Sequence, residues 1–134
     1  MNVVGALFIK DNELLLVKPR RRPTYQLVAG KVEKEEAPLD AMIRESHEEL
    51  GDEVIFDESL FELVLEFDEI ASSDDVTPIH YYLYKYNGKL SGNMTISEEI
   101  ESFFWYDTSC KDIILSNSIN HKIIPYCIEE NLIN

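Results

Sequence analysis

The sequence predicts a single layered domain of the α/β (α+β) class over residues 1–134. Three observations lead to this prediction: short strand-like segments recur along the chain, one strongly amphipathic helix lies near the middle, and a second helical segment lies at the end. A helix and a sheet that each have one apolar face must bury those faces against another element, which favours packed layers. The length is sufficient for one hydrophobic core, and the 45% of hydrophobic residues is ordinary for a globular protein.

The first segments of the chain predict a hairpin, a basic loop and a short strand. Two apolar runs, Val3–Ile9 and Leu14–Val17, flank the polar residues 10–13, and this arrangement is typical of a hairpin. Residues 18–23 are basic and include two prolines, which cannot donate to a sheet ladder, so we expect a loop there. Residues 25–28 then predict another short strand.

The clearest helix is predicted from Pro38 to Leu50. Proline suits the first helical position, and Gly51 suits the position just past the end. The N-cap is weak, because Ala37 has no side-chain acceptor, and this forgoes about 1 kcal/mol. Helical spacing predicts one buried face, made of Leu39, Met42, Ile43, Ser46 and Leu50.

Beyond this helix, strand-like segments alternate with polar ones. The composition predicts strands over 54–56, 60–70, 79–86 and 103–106, an acidic loop over 71–77, and a turn at Asn87-Gly88. The tail from about residue 118 to residue 132 is predicted to be helical, with a break near Pro125.

The net charge of −14 is distributed unevenly along the chain. Of the 26 acidic residues, 17 lie between Glu33 and Asp75, whereas seven of the 12 basic residues lie between Lys10 and Lys34. Such a negative field disfavours binding to nucleic acid polymers, which requires the neutralisation of many phosphates. It suits a protein that binds divalent cations, although excess acid can also serve solubility alone.

Composition also predicts the compartment. No run approaches the roughly 18 to 20 apolar residues that a membrane-spanning helix needs, so we expect no membrane association. The first eight residues do not form a secretion leader, and a cytoplasmic location is therefore expected. We expect Cys110 and Cys127 to be reduced thiols.

Three glutamates of the predicted helix form the strongest chemical signal. Glu45, Glu48 and Glu49 are spaced by three and four residues, which places their carboxylates on one helix face. Like charges so placed repel one another, and a hard cation that takes oxygen ligands turns this cost into a binding site. Taken alone, the three glutamates favour a solvated acidic face, since clusters of glutamates on helices are common. Arg44 lies one turn before Glu48 and is expected to orient a ligand carboxylate through a salt bridge.

Glycine and charged residues at fixed offsets extend this pattern. The chain reads Gly30, five residues, Glu36, seven residues, and then Arg-Glu-Ser-His-Glu-Glu-Leu-Gly over 44–51. This resembles the Nudix box of MutT-like hydrolases, and all seven of its glycine and charged positions match. The departures are Ser46 and Asp52 at positions that are usually apolar, and Ala29 and Glu35 at positions where glycine is common.

The resemblance implies a fold and a metal site. The fold would be an α/β/α sandwich with a mixed sheet, a central box helix and a C-terminal helix. The cofactor would be Mg²⁺, with Mn²⁺ as a substitute. The implied ligands are the backbone carbonyl of Ala29 and the side chains of Glu45, Glu48 and Glu49, with Glu45 also a candidate base. Gly30 would permit a turn, Glu36 would brace the loop, and Gly51 would end the helix. A further ligand is expected at Glu99, six residues before Trp105, with Glu98 and Glu101 as alternatives.

The resemblance also implies the reaction, which is hydrolysis of a nucleoside diphosphate linked to another group. Markers of ADP-ribose and coenzyme A hydrolases are missing, so a nucleoside triphosphate, unmodified or oxidised, is expected. ADP-ribose, dinucleoside polyphosphates and nucleotide sugars stay open as substrates, as do a non-catalytic nucleotide-sensing module, a plain acidic partner-binding domain and a homodimer. Substrate contacts are expected from Arg20, Arg21 and Arg22 to phosphate and from Asn120 to the base.

Overall fold

The computed structural model describes residues 1–71 and 74–134 and contains two sheets and two helices. One sheet has four strands in the order β4-β1-β6-β5, and the other has three in the order β2-β3-β7. The elements are β1 (Asn2–Leu7), β2 (Ile9–Lys10), β3 (Glu13–Pro19), β4 (Val28–Lys31), α1 (Pro38–Leu50), β5 (Phe61–Ile70), β6 (Pro78–Tyr86), β7 (Ile100–Tyr106) and α2 (Ile124–Glu129).

The four-stranded sheet is mixed and forms the middle layer. Strand β1 runs parallel to β6 and antiparallel to β4, and β5 is antiparallel to β6. Because side chains alternate across a strand, Val4 and Ala6 of β1 join the core beneath α1, whereas Leu7 joins the core beneath α2. Helices on both faces give the α/β/α layering that the resemblance to the Nudix family implies.

Helix α1 spans the predicted residues. Ala37 provides no side-chain cap, and Gly51 follows the helix with a φ of +99°, in the region that glycine tolerates. Ser46 is fully buried on the apolar face, and its hydroxyl donates a hydrogen bond of 2.7 Å to the carbonyl of Met42. This bond satisfies the polar group that stands where an apolar residue is usual.

The predicted hairpin forms, but with a shorter first strand. Strands β2 and β3 pair around Asp11 and Asn12, which both have positive φ, as tight hairpin turns require. Strand β1 belongs to the other sheet, so the first apolar run is divided between the two sheets. The predicted loop over 18–23 begins too early, because β3 continues through Pro19. This proline is the last strand residue, after a register shift, where its missing donor costs little.

Two further boundaries differ from the prediction for reasons of pairing. The strand predicted over 25–28 is β4 at Val28–Lys31, which finds its ladder partner in β1, while Tyr25 and Gln26 form isolated bridges only. Residues 54–56 are not a regular strand and contribute the single bridge from Ile55 to Ser91.

The remaining elements follow the prediction with shifted ends. A 3₁₀ turn (Glu58–Leu60) precedes β5, β6 begins one residue early, and β7 begins at Ile100. In the predicted loop over 71–77, Ser72 and Ser73 lie outside the described residues. The tail does not break near Pro125. A π-helical segment (Ile119–Ile123) leads directly into α2, and the N–H of Ile124 donates to the carbonyl of Ile119.

Both cysteines are free thiols, as expected, and Cys127 is fully buried. Within the described ranges, no helix is long and apolar enough to cross a membrane.

Candidate active site

The acidic face of α1 lies against the strand that carries Gly30. A Cβ atom at position 30 would collide with the carboxyl group of Glu45, so the missing side chain makes room for that carboxylate. The prediction that Gly30 permits a turn is therefore wrong. This residue lies in β4 without a positive φ, and its value is the space that it leaves.

Arg44 links this face to the loop before the helix. Its Nε donates to Glu36 at 2.9 Å, and its Nη2 donates to the other oxygen of Glu36 at 3.0 Å and to the carbonyl of Lys31 at 2.9 Å. Its Nη1 donates to Glu45 at 2.9 Å and to Glu48 at 3.2 Å. One rigid guanidinium fork thus holds three carboxylates and the end of β4.

Glu36 connects this arginine to the loop backbone. Its Oε1 accepts a hydrogen bond of 3.0 Å from the N–H of Glu33, and both of its oxygens receive Arg44. These bonds lower the pKa of Glu36 from 4.5 to about 2, with the Arg44 side chain as the largest cause. Glu36 thus connects the loop backbone to Arg44, at the position where the resemblance implies a residue that braces the loop.

Negative charge is concentrated and partly desolvated at Glu45 and Glu49. Only 8% of Glu49 is exposed, and burial followed by the charge of Glu45 raises its pKa well above 4.5, against an opposing hydrogen bond from the backbone of Ala29. Burial is also the main cause that raises the pKa of Glu45, opposed by Arg44 and assisted by Glu48. Buried carboxylates that repel one another are favourable ligands for a cation.

Of the three carboxylates considered around the start of β7, which are Glu98, Glu99 and Glu101, only Glu99 acts on the charges of Glu45 and Glu49. Its charge raises the pKa of both Glu45 and Glu49. Glu101 instead forms an ion pair with Lys18, and Glu98 presents its backbone carbonyl to the Arg20 side chain at 3.0 Å. The structure therefore brings Glu99 near the helix glutamates and directs Glu101 elsewhere.

The donor set matches the chemistry of Mg²⁺. The cation prefers hard oxygen ligands, and Glu45, Glu48, Glu49 and Glu99 supply only these. In the part of the chain that the structure describes, no three acidic, histidine or cysteine side chains converge in ready-made metal geometry. The Arg44 Nη1 donates to both Glu45 and Glu48, so binding of a metal ion requires these two carboxylates to exchange that contact for the ion.

The three predicted phosphate-binding arginines diverge. Arg20 is tied to the segment just before β7, because its backbone N–H donates to the carbonyl of Glu99 at 2.9 Å and its Nε donates to the carbonyl of Glu98. Arg21 is exposed and does not line a described cavity near the glutamates. Arg22 alone lines the cavity that adjoins Ala29 and Gly30.

This cavity, here called the strand-face cavity, has a volume of about 490 Å³. It lies between the α2 side of the four-stranded sheet and the start of the terminal helical segment. Residues from β4, β5, β6 and that segment line it, including Ala29, Glu69, Tyr81 and Ser118. Asn120, the predicted base-reading residue, is exposed and is not part of its lining, because the helical segment turns the neighbouring Ile119 inward.

Two polar residues of the cavity escaped the sequence analysis. Tyr81 lies within the predicted strand 79–86 and Glu69 within the predicted strand 60–70, and neither was singled out as a site residue. The available signal was alternation: Leu65, Phe67, Glu69 and Ala71 share one face of a strand, and a carboxylate at an otherwise apolar position is unusual.

Comparison with known proteins gives a consistent family and fold. The sequence model of the NUDIX domain matches residues 1–113. A MutT NUDIX hydrolase from Burkholderia pseudomallei superposes with a TM-score of 0.74 at 24% identity, over 89% of this chain and 92% of that one. MutT from Aliivibrio salmonicida and Vibrio cholerae gives 0.71 at 17% identity, over 96% and 97%.

A third similar structure is larger. It is a bifunctional NMN adenylyltransferase/ADP ribose pyrophosphatase from Francisella tularensis, complexed with AMP and a Mn ion. Its TM-score is 0.71 at 22% identity, and the match covers 96% of this chain and 41% of that one. At these identities the structures establish a shared fold. No curated protein matches the chain in sequence.

Proposed function

The chain belongs to the NUDIX domain family of pyrophosphohydrolases, and from this premise we propose that it hydrolyses a nucleoside triphosphate, unmodified or oxidised, with Mg²⁺ as cofactor and Mn²⁺ as a substitute. The observation that carries the proposal is the acidic cluster formed by Glu45, Glu48, Glu49 and Glu99, where Glu45 lies against Gly30, a residue that also lines the strand-face cavity. A small nucleotide, rather than a nucleic acid polymer, suits the net charge of −14.

The proposed metal ligands are Glu45, Glu48, Glu49, Glu99 and the backbone carbonyl of Ala29. When bound there, Mg²⁺ supplies charge neutralisation of the phosphates and stabilises the negative charge on the leaving oxygen. Arg44 positions Glu45 and Glu48 through its guanidinium fork, and Glu36 holds that arginine against the loop.

The proposed reaction is the attack of water on a phosphorus atom of the polyphosphate. Glu45 accepts a proton from the water as the new phosphorus–oxygen bond forms. The anhydride bond to the departing phosphate group then breaks, and the bridging oxygen leaves with the electron pair. We assign the contact to the polyphosphate to Arg22, which is supported by its place in the lining of the cavity.

A release assay over a panel of nucleotides tests this proposal. The panel comprises nucleoside triphosphates, an oxidised dGTP, ADP-ribose, dinucleoside polyphosphates and UDP-sugars, each with and without Mg²⁺. We expect Mg²⁺-dependent turnover of the triphosphates, and we expect Glu48→Gln to lose it by a large factor because a ligand is removed. Glu53→Gln is the matched control, since it removes an exposed carboxylate just beyond the same helix.

Other outcomes select other functions. Equal turnover by Glu48→Gln and the wild type would overturn the assignment of the cluster. If no compound of the panel is hydrolysed but Mg²⁺ and nucleotide still raise the melting temperature, a nucleotide-sensing module would be favoured. A protein that shows neither turnover nor thermal shift would be an acidic partner-binding domain.

A further inference from the structure

A second cavity, here called the loop cavity, lies between β2, β7 and the segment 88–94. Its volume is about 720 Å³, which is within the range of sites that bind small organic ligands. It shares no described lining residue with the strand-face cavity. Its apolar wall belongs mainly to the core beneath α1, to which it contributes Phe8, Leu90, Met94, Phe103 and Trp105.

The inner wall of the loop cavity is aromatic and firmly anchored. Phe103 and Trp105 alternate along β7, so they point to the same face of the three-stranded sheet. Their register partners on β3 are Val17 and Leu15, both of which are buried. Phe8 is also buried, whereas Trp105 is only half-buried. An apolar ligand that covered this wall would remove its remaining exposed surface from water.

The outer wall of the loop cavity is held in place by backbone hydrogen bonds. The carbonyl of Ser91 accepts from the N–H of Ile55 at 2.9 Å, and the N–H of Thr95 donates to the carbonyl of Leu50 at 2.9 Å. Between these two contacts Gly92 has a φ of +84°, which glycine adopts without strain. The segment is therefore fixed to the end of α1, and a ligand would not have to order it.

The charges around the loop cavity are the reverse of those of the whole chain. The charged residues in its described lining are Lys10, Lys89 and Asp11, which give two positive charges and one negative charge, or a net charge of +1. The whole chain carries −14. The Lys10 Nζ lies 5.6 Å from the centroid of the Trp105 ring, so a cation is placed beside the aromatic wall. Within the described residues neither lysine forms an ion pair.

We propose that the loop cavity binds a small monocarboxylate with an apolar body, such as a medium-chain fatty acid. The apolar body packs against Trp105 and the other apolar lining residues, and the carboxylate lies at Lys10 and Lys89. A nucleoside triphosphate fits this cavity poorly, because it carries several negative charges and polar groups along its whole length. The inference does not depend on the proposed function, since no glutamate of the acidic cluster lines the loop cavity.

A fluorescence titration of the whole chain with octanoate tests this proposal. Trp105 is the only tryptophan of the protein, so its emission reports directly on the loop cavity. We expect a saturable change in this emission in EDTA and without nucleotide. From hexanoate to heptanoate to octanoate, the Kd should fall about 4-fold for each added methylene group that is buried. Octanol, which has the same chain without the charge, should bind roughly 10-fold more weakly than octanoate.

Two lysine variants and a control locate the carboxylate. Lys10→Gln and Lys89→Gln remove a charge at exposed positions, and together they should bring the Kd of octanoate close to that of octanol. Lys111→Gln is the matched control, because Lys111 lies outside the lining and donates to the carbonyl of Thr108. It should leave the Kd unchanged. Titration calorimetry of the same proteins gives a second readout, since loss of the Lys10 charge can itself alter the emission of Trp105.

Several outcomes would overturn the proposal. These are a lack of saturable binding, equal Kd values for octanoate and octanol, an unchanged Kd for octanoate in the double lysine variant, or an equal loss in Lys111→Gln. Displacement of octanoate by a nucleoside triphosphate would also overturn it, because the cavity would then belong to the substrate site. Failure of hydrolysis over the nucleotide panel leaves the octanoate titration unaffected, so this inference and the proposed function can fail separately.

Discussion

Replacement of Gly30 by alanine should separate stability from activity. The added methyl group would overlap the carboxyl carbon and both oxygens of Glu45, which are its three nearest neighbours. These atoms form the end of a flexible side chain, so the side chain can move away while the backbone stays in place. Gly30 has no positive φ, and alanine is therefore compatible with its backbone conformation.

The size of the effect follows from ordinary contact distances. Two carbon atoms sit comfortably at about 3.5 Å or more, so the carboxyl group must retreat by roughly 1 Å or more. A misplacement of about 1 Å in a catalytic constellation can lower the rate roughly 100-fold, which corresponds to about 2.7 kcal/mol. Stability should change little or rise by about 0.4–1 kcal/mol, because alanine restricts the unfolded chain.

The assay is kcat/KM in Mg²⁺, together with the melting temperature of the same preparation. A double variant sharpens the test: Glu45→Asp retracts the carboxylate, so this change should cost less activity in the Gly30→Ala background than in the wild type. Gly30→Ala with full activity, or with strictly additive costs in the double variant, would refute the idea that Gly30 serves to accommodate Glu45.

Three further predictions concern the charged residues around the helix. Glu49→Gln should raise the melting temperature without divalent cations by several degrees at neutral pH, because the raised pKa of Glu49 means that ionisation costs stability as pH rises above 4.5. This difference in melting temperature should vanish in acid. Calorimetry of both proteins in EDTA, at a series of pH values from about 4 upward, checks the prediction. Glu35→Gly should raise the free energy of unfolding in urea by about 0.5–1 kcal/mol, since Glu35 has a φ of +66°, which glycine adopts more easily. An unchanged free energy of unfolding would show that this backbone conformation does not strain the fold. Glu36 has a lowered pKa of about 2, so its pairing with Arg44 stabilises the fold above pH 4.5 and is lost as pH falls toward 2. The free energy of unfolding of Glu36→Gln should therefore fall less than that of the wild type between pH 4.5 and pH 2. Equal losses in the two proteins, measured by unfolding at each pH, would contradict this.

The features that depend on residues close together in the chain could be predicted from the sequence. The bounds of α1 follow from Pro38, the apolar spacing and Gly51, all of which act within a turn of the helix. The placement of the glutamates on one face follows from helical periodicity alone. The hairpin was predicted from polar residues between two apolar runs, and Asp11 and Asn12 adopt the left-handed conformation that these residue types tolerate.

The pairing of the strands and the role of Gly30 could be identified only from the three-dimensional structure. The first apolar run is divided between two sheets, and β4 forms where β1 provides a ladder rather than where the composition favours a strand. Such choices depend on residues far apart in the sequence, and strand propensity depends strongly on its surroundings.

The sequence by itself determined the family resemblance, helix α1 and its acidic face, because those features depend on spacing along one element. Only the tertiary structure decided that Gly30 makes room for Glu45, that Arg22 rather than Arg21 reaches the cavity, and that Glu69 and Tyr81 face the same space while Asn120 does not. The physical reason is that volume, burial and the distance between charges arise when separate strands and helices pack together, and no local pattern encodes them.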